Sequence, residues 1–340
     1  MTTDYKSLNL IATSSPHIRG EQTTQTIMRD VLIGLCPALL FACYNFGVRA
    51  LSVTAFSAAA CVFFEWAYRR IMNKPQSVTD LSAVVTGVLL AFVCPVQIPY
   101  WTILIGDFFA IVLVKQLFGG IGCNFVNPAL AGRAALLASY AGTMTTWANP
   151  IGKFAAVLGS TADVTTTATP LAQLKGGTAA FLMSKYSVGD MFLGTIPGSV
   201  GEVSTLALLI GFAWLLYRKI INWQTPVFYV GTVAVLALLF PRGGVGNFDW
   251  MIYNVLGGGL MLGAIFMATD YATSPVTAKG QAIFGVGCGL FTIAIRYFGS
   301  YNEGVCYSIM VMNLFVPLID RYVKPPRFGV VKESEKEATA

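Results

Sequence analysis

Two aspartates lie within or directly after long apolar runs, where a charged side chain is costly. Asp107 lies inside the fourth run, and Asp270 follows the eighth, just before Ser274-Pro275. A carboxylate in such a position can couple to a translocated ion or serve as a hydrogen-bonded structural group. We consider both residues as ion-coupling candidates, although the residue pattern alone favours the structural role.

Four other charged residues lie near the ends of apolar runs. Lys115 and Arg296 have long side chains, so we expect them to snorkel towards the membrane interface. Asp80 opens the third run, where it is expected to cap a helix and complement its dipole. Asp320, beside Arg321, is expected at the interface.

A threonine-rich stretch is the most distinctive polar feature of the chain, and it reads Asp163-Val164-Thr165-Thr166-Thr167-Ala168-Thr169-Pro170-Leu171. Threonine is a good N-cap residue, and proline suits the first position of a helix. Thr169-Pro170 therefore predicts the start of a helix.

Histidine and cysteine are not placed as metal ligands. The one histidine, His17, lies outside the apolar runs, so we expect a local turn or a contact with a partner subunit. The seven cysteines lie in or at the ends of apolar runs and include no CxxC pair. We expect them to be small buried hydrophobic residues, and we expect no iron–sulfur cluster held by this chain alone.

The composition excludes most classes of protein. Of 340 residues, 55% are hydrophobic and only 11% are charged, whereas soluble domains contain roughly 25% charged residues. The mean hydropathy is +0.66. Long continuous apolar runs argue against a β-barrel. The net charge of +6 is spread beside these runs, so we expect a lipid bilayer and no nucleic acid as a partner. The chain is predicted to be an all-α polytopic membrane protein.

Ten membrane segments of roughly 20 residues or fewer are predicted. Basic residues cluster after the second, sixth and last segments, which places those ends and both termini in the cytoplasm. The segments are 27–46, 50–71, 80–95, 101–118, 127–141, 203–221, 226–240, 250–268, 280–298 and 304–322. The predicted organisation is a cytoplasmic segment 1–26, a five-helix unit 27–141, an extracytoplasmic loop 142–202, a second five-helix unit 203–322 and a cytoplasmic tail 323–340.

The two five-helix units share several features. The third segment is short and runs into Cys94-Pro95, and the eighth carries Gly257-Gly258-Gly259 and breaks at Asp270. Because five is an odd number, the two units are expected to have inverted topology. Broken helices at matching positions of inverted repeats point to a site near the middle of the bilayer.

Short motifs spread along residues 12 to 328 resemble the family of D subunits of the Rnf complex and, more distantly, the B subunits of the sodium-pumping NADH:quinone reductase. Asp107 and Tyr271-Ala272-Thr273-Ser274 depart from the family pattern. The matching motifs are Ser15-Pro16-His17, Asp80-x-Ser82-Ala83-x-x-Thr86-Gly87, Lys115-Gln116-Leu117-Phe118-Gly119-Gly120, Asn127-Pro128-Ala129, Thr269-Asp270 with Pro275-Val276-Thr277, and Asn313-x-x-x-Pro317-Leu318-Ile319-Asp320.

The resemblance implies a covalent flavin in the outer loop. Asp163, Thr166, Ala168 and Thr169 match the family's flavinylation motif, in which a separate flavin transferase esterifies the last threonine with the phosphate of FMN. Related B subunits also hold riboflavin without a covalent bond, so a second flavin is compatible with the resemblance, although no site is indicated. The implied fold resembles that of urea and ammonium channels.

The resemblance also implies a location, the inner or plasma membrane of a bacterial or archaeal cell, and an activity. Rnf complexes pass electrons between reduced ferredoxin and NAD and couple this to sodium or proton translocation. The implied partners are the other membrane subunits and the peripheral flavin and iron–sulfur subunits. Because Gly119-Gly120-Ile121-Gly122 follows a membrane helix and not a strand, it is a weak match to a nicotinamide-binding fingerprint, and NAD is expected to bind elsewhere.

Two other functions remain open. A channel or transporter for a small polar solute is compatible with the implied fold, because fold does not determine function. A scaffold subunit with an unused motif is also compatible with the sequence. Bound flavin in stoichiometric amount would separate both from a flavoprotein electron carrier.

Overall fold

The computed structural model describes residues 22–148, 169–175, 186–242, 244, 246–299 and 301–325. Within these ranges the chain is helical and contains no strand. The helices are α1 Thr24–Phe46, α2 Val48–Ile71, α3 Ser82–Phe92, α4 Tyr100–Phe108, α5 Pro128–Ser139, α6 Ala141–Met144, α7 Pro170–Lys175, α8 Val188–Leu193, α9 Thr205–Tyr217, α10 Gln224–Leu239, α11 Asn247–Leu256, α12 Leu260–Leu262, α13 Ala278–Phe298 and α14 Val305–Tyr322. Two π-helical stretches, Phe109–Gln116 and Gly263–Met267, continue α4 and α12, and a 3₁₀ turn spans Val78–Asp80.

Each of the ten predicted segments contains helix, but the described helices differ in length. Four of them, α1, α2, α13 and α14, are long and apolar enough to cross a membrane. A fifth crossing forms if α11 and α12 with its continuation, bent by 61° at their break, are counted together. Three shorter apolar helices are α3, α9 and α10. The described part of the chain is therefore all-helical, and the chain is a multi-pass membrane protein, while ten crossings arranged as an inverted repeat remain a prediction.

Local sequence explains where several helices begin. The side chain of Asn127 accepts a hydrogen bond from the backbone N–H of Ala129 at 3.0 Å, and Pro128 occupies the first position of α5. Thr277 caps α13 by accepting from the N–H of Gly280 at 3.0 Å. Such caps satisfy backbone donors that have no partner within the helix.

Small residues allow the helices to approach closely. A Cβ atom added to Gly211 of α9 would lie 2.2 Å from the carbonyl oxygen of Gly34 in α1. Elsewhere in the core, the Tyr229 hydroxyl of α10 is hydrogen-bonded to the hydroxyls of Thr292 at 2.7 Å and Ser308 at 2.9 Å. These contacts fix α1 against α9 and join α10, α13 and α14.

The short third helix ends where a distant segment satisfies its carbonyl groups. Gly201 donates its backbone N–H to the carbonyl of Phe92 at 2.9 Å, and Val200 donates to that of Cys94 at 3.1 Å. A Cβ atom on Gly201 would lie 2.2 Å from the Phe92 side chain, so only glycine fits there. The short third segment that the sequence predicts is thus observed.

The break between α11 and α12 is held by Arg296 of α13. Its guanidinium group donates to the carbonyls of Gly257 and Gly258, each at 3.2 Å. Gly258 has φ +58, a backbone conformation that favours glycine. Arg296 is only 4% exposed, so the expectation that it snorkels is wrong. Its guanidinium group instead binds backbone carbonyls that the break in the helix leaves without helical partners.

The loops lie at two ends of the helix bundle. At one end, the Asn45 side chain donates to the carbonyl of Gly194 at 2.7 Å, and Arg49 donates to that of Ile98 at 3.0 Å. At the other end, Arg218 forms an ion pair with Asp30 at 3.0 Å. The assignment of this second end to the cytoplasm remains a prediction.

Candidate functional site

Thr169 is the N-cap residue of α7. Its Oγ1 accepts a hydrogen bond from the N–H of Ala172 at 3.2 Å, and its carbonyl accepts from the N–H of Gln173 at 3.1 Å. The helix start predicted at Thr169-Pro170 is therefore confirmed. The other three motif positions, Asp163, Thr166 and Ala168, lie outside the described residues, as does His17.

Thr169 also lines a cavity of about 290 Å³. Helix α5 contributes Arg133 to the lining, and the turn before α14 contributes Glu303. The lining also includes three aromatic side chains, Trp147, Tyr301 and Tyr307. The rings of the two tyrosines have centroids 4.8 Å apart. The cavity thus combines the Thr169 hydroxyl, aromatic side chains and an arginine.

Arg133 and Glu303 form a buried ion pair in this cavity, through one guanidinium Nη2 and one carboxylate oxygen. Their side chains are only 6% and 15% exposed. The Nε of Arg133 has no hydrogen-bond partner among the described residues. Sequence reasoning singled out neither residue, although an arginine inside the apolar fifth segment is the kind of signal that marks a site.

A flavin nucleotide fits the chemistry of this cavity. FMN combines a flat aromatic ring system with an anionic phosphate. The aromatic side chains of the cavity suit the ring system, and the buried Nε–H of Arg133, which has no partner among the described residues, suits the phosphate. The residues present therefore match the group that the sequence motif implies.

Asp107 lies in a tight contact between helices and does not line the cavity at Thr169. Its Oδ1 accepts hydrogen bonds from Ser57 Oγ at 2.6 Å and Cys61 Sγ at 3.3 Å. The side chain is completely buried, and Oδ2 has no partner among the described residues. This environment favours the structural role for Asp107.

Asp270 has a different environment from Asp107, because it lines a second cavity of about 110 Å³. It accepts a hydrogen bond from Thr273 Oγ1 at 3.1 Å. Other polar residues in the lining include Lys115, Asn124 and Thr269, whereas Asp107 is not part of it. The two aspartates considered for ion coupling are therefore not brought together in one cavity.

Lys115 is buried, so the expectation that it snorkels is wrong. Its Nζ lies 2.8 Å from Glu65 Oε2 and donates to Ser82 Oγ at 2.6 Å. Asp80 accepts from the backbone N–H of Ser82, the first residue of α3, at 2.8 Å. The N-cap position of α3 is Leu81 and not Asp80, so the predicted cap is wrong in its position, although the Asp80 carboxylate satisfies the first N–H of the helix from one residue earlier. Asp320 accepts from the N–H of Val276 at 3.2 Å.

The seven cysteines divide by exposure. The expectation of burial is confirmed for Cys61, Cys94, Cys288 and Cys306, whereas Cys43 is half-buried. It is wrong for Cys36 and Cys123, both of which are exposed. Among the described residues, no group of three or more His, Cys, Asp or Glu side chains could hold a metal ion.

Comparison with known proteins gives matches along nearly the whole chain. The sequence profile described as the NQR2, RnfD, RnfE family matches residues 11–329. The D subunit of the Na(+)-translocating ferredoxin:NAD(+) oxidoreductase complex of Acetobacterium woodii is 49% identical over 336 residues, which cover 98% of this chain and 99% of that protein. The D subunit of the proton-translocating ferredoxin:NAD(+) oxidoreductase complex of Clostridium ljungdahlii is 44% identical over 93% of this chain and 95% of that protein. The D subunit of the ion-translocating oxidoreductase complex of Actinobacillus succinogenes is 35% identical over 92% of this chain and 96% of that protein.

Proposed function

The chain belongs to the NQR2, RnfD, RnfE family, and we propose that it carries electrons on a covalently bound FMN within an Rnf complex. Its relatives are named as D subunits of ion-translocating oxidoreductase complexes, so its partners are the other subunits of such a complex. The complex couples electron transfer between ferredoxin and NAD to translocation of sodium or protons. The chain itself contributes no NAD or ferredoxin site to this proposal.

The position of Thr169 supports this proposal most directly. The last residue of the flavinylation motif lines a cavity that also contains aromatic side chains and an arginine. Thr169 Oγ1 would hold the phosphate of FMN as an ester after modification by a flavin transferase. The bound flavin would supply the redox chemistry, and the protein would supply its position and electrostatics. Trp147, Tyr301 and Tyr307 would shield the ring system from water.

The proposed topology follows from the charge pattern. Two inverted five-helix repeats with ten crossings would place the Thr169 loop outside the cell and both termini in the cytoplasm. The third segment of each half is interrupted, since the helix in the first half ends at Phe92 and the one in the second half is broken at Gly257–Gly259, and this supports such a repeat.

Two further elements of the proposal concern ion coupling and a second flavin. Asp270 is the stronger of the two ion-coupling candidates, because it lines a cavity while Asp107 is enclosed between helices. A non-covalent riboflavin remains part of the proposal from family resemblance, without an assigned site.

Flavin fluorescence on a denaturing gel tests the covalent attachment. The full-length chain is expressed with a flavin transferase, beside Thr169→Val and the matched control Thr145→Val. Thr145 is another threonine in the cavity lining, but it lies outside the motif. We expect fluorescent bands for the wild type and Thr145→Val and a dark band for Thr169→Val.

The opposite result would favour the other two functions. Dark bands for all three proteins, with the transferase shown to modify a known target, would leave Thr169 as a helix cap only. A solute channel or a non-redox scaffold subunit would then explain the chain better.

A further inference from the structure

We propose that Arg133 is the docking group for the flavin nucleotide tethered to Thr169, an inference that rests on the proposed function. Arg133 would bind an anionic acceptor of that cofactor, either its phosphodiester or the pyrimidine edge of its reduced ring. Both sources share one chemistry, because each presents oxygen or nitrogen acceptors with negative charge to a guanidinium group.

The first support is an unpaired hydrogen-bond donor. Arg133 is 5% exposed, and its Nε has no hydrogen-bond partner among the described residues. A buried donor without a partner loses its hydration and gains nothing in return, which destabilises the protein. Arg133 lines the cavity, so an acceptor on a ligand there could satisfy this donor.

The second support is the proximity of Thr169 to the ion pair. Leu171, two residues after Thr169, lies against Gly258. A Cβ atom added to Gly258 would be 2.8 Å from Leu171 Cδ2. The same Cβ atom would be 3.3 Å from Glu303 Cγ. Glu303 in turn is paired with Arg133. The start of α7 and the ion pair are therefore neighbours, and Thr169, Arg133 and Glu303 line the same cavity.

The third support is the orientation of the guanidinium group. Glu303 holds this group in place without using its Nε. An arginine that is oriented by a carboxylate and keeps a free donor is prepared for a second acceptor. The carboxylate of Glu303 thus positions Arg133, and the cofactor would complete its hydrogen bonding.

The test uses the full-length chain, expressed with a flavin transferase and purified in detergent. Arg133→Gln combined with Glu303→Gln removes the cation without leaving a buried carboxylate unpaired, and Arg133→Lys retains the charge. The matched control, Asp30→Asn with Arg218→Gln, neutralises a pair of the same type away from the cavity. For each protein, in-gel fluorescence reports attachment, redox titration gives the flavin midpoint potential, and fluorescence anisotropy gives flavin mobility.

We expect full attachment in all variants, a change in the Arg133→Gln/Glu303→Gln protein, a smaller change or none in Arg133→Lys, and no change in the control pair. A more negative midpoint potential would identify the reduced ring as the acceptor. A lower anisotropy at unchanged potential would identify the phosphodiester. The inference is overturned if both quantities equal those of the wild type, if the control pair changes them equally, or if attachment is lost. An unlabelled wild-type chain would overturn the proposed function as well, whereas a labelled chain with unchanged readouts overturns this inference alone.

Discussion

The ammonium group of Lys115 lies 2.8 Å from a carboxylate oxygen of Glu65, and the two side chains are 3% and 0% exposed. The pair joins the end of the fourth segment to α2. Ser82, at the start of α3, accepts a hydrogen bond from the same ammonium group at 2.6 Å. A single buried cation thus fixes the fourth segment, α2 and α3 to one another.

Glu65→Gln should therefore destabilise the protein strongly. Removing one partner of a buried ion pair leaves an uncompensated charge, which costs about 3–5 kcal/mol. Thermal unfolding in detergent should show a large fall in Tm, and adding Lys115→Met should recover part of it. Arg218→Gln is the comparison, because the Arg218 side chain is 42% exposed and water can partly replace it beside Asp30, so its loss should cost less than that of Glu65. Equal losses for Glu65→Gln and Arg218→Gln would contradict this prediction.

Asp270→Asn should uncouple ion movement from electron transfer while the covalent flavin remains attached. The residue lines a cavity, so its charge is available to a passing cation. The measurement is ion uptake by vesicles that contain the assembled complex, compared with electron transfer in the same vesicles. Asp107→Asn is the matched control, and it should retain transport because Asp107 is enclosed by Ser57 and Cys61. Unchanged transport in Asp270→Asn would rule out the coupling role.

Gly211→Ala should lower the stability of the helix bundle. The added methyl group would lie 2.2 Å from the carbonyl oxygen of Gly34, so α1 and α9 would have to separate. Overpacking of this kind costs about 1–3 kcal/mol. Gly231→Ala in α10 is the control, because a Cβ atom there meets nothing within 4 Å. The prediction fails if both substitutions have the same effect on Tm.

The capping box of α8 should make a pH-dependent contribution to stability. The side-chain hydroxyl and backbone N–H of Ser187 donate to Asp190, which lowers the pKa of this carboxyl below its ordinary value. A group whose pKa is lowered by folding stabilises the protein above its unfolded pKa, roughly 4 for aspartate, and this contribution disappears as the pH falls through the folded pKa. Asp190→Asn should thus be less stable than the wild type at pH 7. In melting curves the difference should shrink on acidification, and a constant difference would argue against this origin.

Much of the helical framework can be predicted from the sequence. Apolar runs locate the helices, Thr169-Pro170 marks the start of α7, and Gly257–Gly259 marks the break before α12. These features depend on residues close together in the chain, where propensity and capping operate.

The candidate site could be predicted only in part, because its parts are distant in sequence. Arg133 and Glu303 are separated by 170 positions, and nothing local indicates that they form a pair. The sequence predicts that Lys115 and Arg296 reach the membrane interface, because each lies near the end of an apolar run. Such a position does not reveal which helix packs beside the residue. Their buried partners emerge only from the packing of the helices.

Cys123 gives the chain a natural reporter of its own orientation. It is exposed in the turn that follows the fourth segment, whereas Cys36, the other exposed cysteine, lies midway along the apolar α1. A membrane-impermeant maleimide should therefore reach Cys123 from one face of the bilayer only. Right-side-out and inverted vesicles should therefore show opposite labelling of Cys123. Thr169 is predicted on the opposite face, so the labelled orientation also indicates the side of the flavin threonine. No engineered cysteine or tag is needed.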